Sequence, residues 1–186
     1  MLNLDALAAQ PELPGDAVML RQLDASYLDG VWQSLHDPET ARYTGTHATF
    51  TREQVERFLA ARPAATDRAD WAVTRAADGA FLGEVVLQEL DASNESMSLR
   101  IALGGPHVFG RGYGTEATRL VLDFAFESVG LHRVGLEVFD FNTRAQRVYE
   151  KCGFVREGVL RDALLWNGTR HDTVVMSILS TDCRFP

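Results

Sequence analysis

The chain has 186 residues, 46% of them hydrophobic and 24% charged. A chain of that length can bury roughly 70% of its unfolded surface, which excludes disorder as its main state. Lys and Arg number 18 against 26 Asp and Glu, and the resulting net charge of −8 argues against a nucleic-acid or anionic-membrane binder, because neutralising phosphates takes clustered cations; it fits a neutral or cationic partner.

Residues 1–17, punctuated by Pro11, Pro14 and Gly15, read as a flexible leader, and no basic n-region marks a signal peptide. Residues 18–180 read as a single domain without repeats, followed by a tail at 181–186. Val18 opens a strand, and Ser26 to Leu35 a helix that Asp37-Pro38 stops. Thr51 caps a helix carrying Val55, Phe58 and Leu59, which ends at Pro63. Residues 71–75, 81–90 and 96–103 read as strands separated by the turn signals Asp78-Gly79 and Asp91–Asn94. In the third run Met97, Leu99, Ile101 and Leu103 alternate with Ser98, Arg100 and Ala102, the pattern of a half-buried strand.

Gly112 to Val129 is the longest helical pattern, with Ala117, Leu120, Val121, Phe124 and Ala125 on one face. Arg133 to Phe139 is a strand, and Asn142 and Gly153 bracket a helix as N-cap and C′ residue. Thr173 to Leu179 is the last strand. Together these make an α+β fold around one mixed sheet. No apolar run approaches the 18 residues a membrane helix needs, and two cysteines, Cys152 and Cys183, are too few for a disulfide framework or a Cys-based zinc site. The five histidines lack metal-binding spacing, so no metal is expected, and the expected compartment is cytoplasmic.

The run Phe109-Gly-Arg-Gly-Tyr-Gly-Thr-Glu-Ala117 carries the chemistry. Three glycines in five positions let backbone N–H groups converge, and the helix that follows aims its positive end at the same point. The pair makes an anion site fit for a phosphate or pyrophosphate, to which Arg111 adds charge and Thr115 a hydroxyl. No Lys follows, so it is not a P-loop, and Thr115 stands where a dinucleotide fingerprint needs its third glycine.

This run resembles the acyl-CoA loop of the GNAT N-acetyltransferases. The stretch from Leu131 to Asn142, with Arg144-Ala-Gln-Arg-Val-Tyr-Glu-Lys-Cys-Gly-Phe154 after it, is similar to that family's strand–helix segment. Glu157-Gly158, Arg161-Asp162, Gly168 and Asp172 resemble the branch of the ribosomal-protein N-terminal acetyltransferases (RimJ/RimL-like). The resemblance implies a V-splayed sheet of about seven strands flanked by about four helices, with acyl-CoA in the cleft. It implies acetyl transfer from acetyl-CoA to an amine by direct attack, with no metal. Leu103 and Gly105 would hold the pantetheine arm, and Phe109, Gly110, Arg111, Gly112, Gly114 and Thr115 the pyrophosphate. Asn142, an N-cap by its own signals, is a candidate for a further contact to CoA or to the acceptor.

The sequence departs from that family's pattern at Phe109, where many members carry Arg or Gln, at Ala145, where some ribosomal-protein acetyltransferases have a serine, and at Ser98, where a Glu often stands. Amine acylation needs a base for the acceptor and an acid for the leaving thiolate. Tyr149, a phenol with an ordinary pKa of ~10, is the acid candidate. Glu84, Glu89 and Glu137 stand as base candidates. The acceptor is expected to be a peptide N-terminus or small amine; a polyamine, antibiotic or metabolite amine on the same fold, or a non-catalytic acyl-CoA-binding module, are the alternatives. The protein is expected as a monomer or homodimer, without nucleic acid or membrane.

Overall fold

A computed structural model describes residues 1–105 and 108–182. One eight-stranded sheet runs in the order β1-β2-β3-β4-β5-β6-β8-β7. Its strands are β1 (Leu13–Pro14), β2 (Val18–Gln22), β3 (Ala69–Arg75), β4 (Phe81–Asp91), β5 (Ser96–Leu103), β6 (Arg133–Phe139), β7 (Val155–Trp166) and β8 (Thr169–Leu179). Every neighbouring pair is antiparallel except β5 and β6. Those two run parallel for three residue pairs only, ending at Ser98 opposite Gly135.

The helices are α1 (Leu4–Ala9), α2 (Leu28–Leu35), α3 (Pro38–Thr44), α4 (Arg52–Ala61), α5 (Tyr113–Asp123) and α6 (Thr143–Lys151). The last turns of α5 widen into a π-helical segment, Phe124–Val129. The main core lies between one face of the sheet and α1, α5 and α6, and includes Leu7, Trp71, Val85, Leu87, Val121, Phe124 and Cys152. On the other face α2 and α4 close a smaller cluster of Leu23, Val31, Val55, Leu59 and Ala72.

The first seventeen residues, expected as a flexible leader, carry structure instead. Asn3 caps α1, its Oδ1 accepting from the Ala6 N–H at 3.1 Å. Leu7 is wholly buried in the main core. Gln10 is 2% exposed; it accepts from the Asp70 N–H at 3.0 Å and donates to the Arg62 and Ala65 carbonyls. Pro11, Pro14 and Gly15 mask such anchoring, because its partners lie some fifty to sixty positions away in the sequence. Asp37-Pro38 does stop α2, but it also starts α3: Asp37 accepts from the Thr40 N–H at 2.7 Å, and Pro38 takes a first-turn place where no N–H is needed.

The sheet has eight strands where the resemblance implies about seven; the sequence's own runs mark six, without β1, which is only two residues long, and without β7. Its register slips between Arg156 and Gly158 and again between Leu160 and Leu164, and Asp162 sits at φ 55°. Those bulges break the period-two pattern by which a strand is read. Of the expected tail, Asp182 accepts from the Leu179 N–H at 2.8 Å, and 183–186, with Cys183, lie outside the described residues. Among the described residues no helix is long and apolar enough to cross a membrane, and no group of three His, Cys, Asp or Glu is placed to hold a metal ion.

Candidate active site

Past Ser98 and Gly135 the two parallel strands separate, and a cleft of about 550 Å³ opens between Leu99–Leu103 and Glu137–Phe139. Here β5 stays paired with β4, but among the described residues no strand covers its other edge. That edge can take an extended ligand arm as an added strand.

The glycine loop closes one end of the cleft. Gly110 and Gly112 have φ of 74° and 83°. An added Cβ at either would meet nothing within 4 Å, so backbone conformation demands the glycine, not crowding. Gly114, in the first turn of α5, is the opposite case. It is not in the left-handed region, and its added Cβ would lie 3.4 Å from Leu103 Cδ1. Gly112 is the N-cap of α5 and brings no capping side chain, so the first-turn N–H groups are left for an anion.

From the opposite wall come side chains of α6 and α3. Tyr149 lines the cleft, is 6% exposed, and its ring lies 5.7 Å from that of Phe154. Burial pushes its phenol above the ordinary range. Cys152, one turn on, is fully buried; its thiol donates to the Thr115 carbonyl at 3.6 Å, and burial pushes it up to about 11. A thiol so protonated is packing, not a nucleophile. Arg144 lies over Phe109, its guanidinium carbon 3.4 Å from the ring centroid and 5.1 Å from that of Tyr43. Arg144, Arg147 and Lys151 line the cleft with no ion pair among the described residues, beside one carboxylate, Glu137; a fourth basic side chain there, Arg100, is paired with Glu84. In a chain of net charge −8 this places positive charge where an anion would lie.

The profile of the acetyltransferase (GNAT) domain family matches residues 17–155, most of the chain. The chain belongs to that family. It is similar to the N-acetyltransferase YoaA of Bacillus subtilis, 27% identical over 172 residues that cover 91% of this chain and 97% of that one. It is similar also to spermidine N(1)-acetyltransferase of Vibrio cholerae serotype O1, 33% identical over 101 residues, 54% of this chain and 58% of that one. Among solved structures, spermidine N-acetyltransferase from Vibrio cholerae in complex with CoA and spermine has the same fold, with a TM-score of 0.82, 24% identity and coverage of 90% of this chain and 98% of that one. The protein is an acetyl-CoA-dependent N-acetyltransferase acting on an amine.

Within this GNAT domain the residues singled out in the sequence divide. Leu103, Phe109, Gly110, Gly112, Gly114, Thr115, Asn142, Glu137 and Tyr149 all line the cleft. Asn142 also caps α6, its Oδ1 accepting from the Ala145 N–H at 3.2 Å. Arg111 is exposed and Gly105 buried, and neither lines the cleft. Glu84 lies outside it, in a side pocket of about 40 Å³, where it accepts from Arg100 at 2.7 Å. That ion pair occupies the carboxylate and holds it away from the cleft. Glu89 is exposed at a bulge of β4, with φ 59°, and is not in the cleft. Ser98 marks the apex of the V, opposite Gly135.

Tyr43, Arg144, Arg147 and Lys151 were missed. Tyr43 sits on a helix that had no reading in the sequence. The three cations stand three and seven residues apart beside the apolar stripe of α6, a spacing that would have shown them on one side of the helix.

Proposed function

We propose that the chain acetylates a primary amine that is cationic in solution, such as a peptide N-terminus or a small amine. The pyrophosphate of acetyl-CoA rests on the N–H groups from Gly110 to Thr115, and Leu103 guides the arm along the free edge of β5. Tyr149 gives a proton to the departing thiolate, and Glu137 takes one from the acceptor, directly or through water. The observation that carries this reading is that Tyr149 and Glu137 line the same cleft as the glycine loop.

Glu137 is preferred to Glu84 because it is exposed to the cleft and forms no ion pair among the described residues, whereas Glu84 is bound to Arg100. Tyr149 carries a proton throughout the neutral range, so one is present in the cleft for the strongly basic departing thiolate. The general acid is the group whose hydroxyl must reach the sulfur. The likeness to a spermidine acetyltransferase over 101 residues supports including polyamines among the acceptors, and the RimJ/RimL-like stretch at 157–172 supports including peptide N-termini.

Thiol release from acetyl-CoA, followed across peptides, polyamines and aminoglycosides, tests the reading. An acceptor with a primary amine should give turnover well above hydrolysis. A preference for hydroxyl or phosphorylated acceptors, or thiol release no faster with any amine than without, would overturn it.

A further inference from the structure

We propose that Arg144 is a phosphate ligand for the nucleotide part of the donor, held ready by the rings of Phe109 and Tyr43, and that Arg147 and Lys151 extend its field along α6. This rests on the donor reading above.

Stacking uses the face of a guanidinium and leaves its five N–H donors at the edge. The carbon of Arg144 is 3.4 Å from the Phe109 centroid, and Tyr43, edge-on to Phe109 at 6.5 Å, flanks it 5.1 Å away. Among the described residues Arg144 forms no ion pair, so those donors have no carboxylate to satisfy them. Its own helix does not explain it either. Arg144 lies in the first turn of α6, where the macrodipole disfavours a cation. A charge placed against the local field, stacked on one ring with a second beside it and lining a cleft, calls for an anion.

The rest of the row supports the same ligand. Arg147 and Lys151 line the cleft three and seven residues beyond Arg144, so the three charges span about 10 Å of helix at 1.5 Å per residue. CoA is an anion spread over such a distance, with a pyrophosphate and a separate 3′-phosphate. Phe109 brings no charge of its own to the glycine loop. Its ring serves as the platform on which α6 sets one.

Calorimetric titration with CoA, at low and at high salt, tests this on the wild type, Arg144→Gln and Arg144→Lys. Arg144 is exposed, so neither change touches the core. Arg144→Gln should weaken CoA binding about tenfold or more, in the range of a charge-assisted hydrogen bond, and its affinity should depend less on salt. Arg144→Lys should recover part of the loss, keeping the charge without the planar fork. Parallel titrations with dephospho-CoA assign the contact: a loss that persists there points to the pyrophosphate, and one that vanishes to the 3′-phosphate. An Arg144→Gln protein that binds CoA within twofold of wild type would overturn the proposal, as would a weaker affinity with the wild-type salt dependence, which is the mark of packing. Failure of the wild type itself to bind CoA would overturn the donor reading instead.

Discussion

The donor wall of the cleft and the rest of its lining are built by different means. On the donor side, the free edge of β5, the left-handed turns at Gly110 and Gly112 and the uncapped start of α5 present backbone groups. On the opposite side, α3, α6 and the end of β6 present side chains that meet only in the fold: Tyr43, Glu137, Arg144 and Tyr149 line it, with the Arg144 guanidinium carbon 5.1 Å from the Tyr43 ring centroid. A backbone site needs glycines and a helix start in one short run, whereas a side-chain site needs residues from three separate runs. The first should fail through conformation, and the second through the loss of single groups.

The largest single-group effect is expected at Tyr149. Tyr149→Phe keeps the ring against Phe154 and removes only the hydroxyl, and a general acid typically contributes ~10²–10⁴-fold. The loss should fall on kcat, with CoA affinity from calorimetry unchanged. Because burial holds this phenol protonated well above neutrality, the wild-type kcat/KM should rise from pH 6 to 9 as the acceptor ammonium gives up its proton, and no falling limb from Tyr149 should appear in that range. Activity of the Phe variant within about twofold of wild type would make Tyr149 a packing residue only.

Next come the glycines, where the backbone side can be taken apart. Gly112→Val puts a β-branched residue at φ 83°, a conformation such side chains rarely adopt, and CoA binding should be lost, about tenfold at least for an anion site robbed of its charge-assisted N–H contacts. Gly114→Ala is the sharper test. Its backbone is unstrained and its new methyl has only Leu103 Cδ1 to meet, at 3.4 Å. The melting temperature should hold while CoA affinity drops. Equal losses of stability in both variants would erase the distinction between conformation and space.

This contrast also accounts for what could be read in advance. The loop, α5, β5, β6 and α6 were legible because each is specified within its own run: glycine spacing, apolar period and caps at Asn142 and Gly153. The side-chain wall was not, because Tyr43 and Arg144 are about a hundred positions apart and only the fold joins them. Charge misled in the same way. The sum over the chain is −8, yet the cleft gathers four cations, so the overall charge described the surface and not the site.

A stability test separates the anchor of the amino-terminal segment from both walls. Leu7 is wholly buried in the main core. Leu7→Ala should cost about 2–5 kcal/mol in denaturant unfolding, with CoA affinity near wild type in the folded fraction, because Leu7 does not line the cleft. A loss below about 0.5 kcal/mol, the range of surface substitutions, would return residues 1–17 to the status of a loose leader.

The smallest effect concerns how the outermost strand is held. Glu157 on β7 reaches across β8 to Arg133 on β6, accepting from it at 2.8 Å, while Arg133 also donates to Ser177 on β8 at 2.8 Å. The Arg133 guanidinium pushes the Glu157 carboxyl down to about 2. A carboxyl depressed in the folded state stabilises the fold above its ordinary range, and that contribution is lost as pH falls from about 4.5 towards 2. Both side chains are more than a third exposed or close to it, at 35% and 39%, so water screens the pair and its worth is about 1 kcal/mol or less. Glu157→Gln should therefore lower neutral-pH stability by no more than that and flatten the fall in stability on acidification over this window. The change should leave CoA binding alone, since neither partner lines the cleft. If the variant lost stability at neutral pH but kept the wild-type acid response, the pair would not be the group that titrates, and β7 would depend on its backbone ladder with β8 for its place in the sheet.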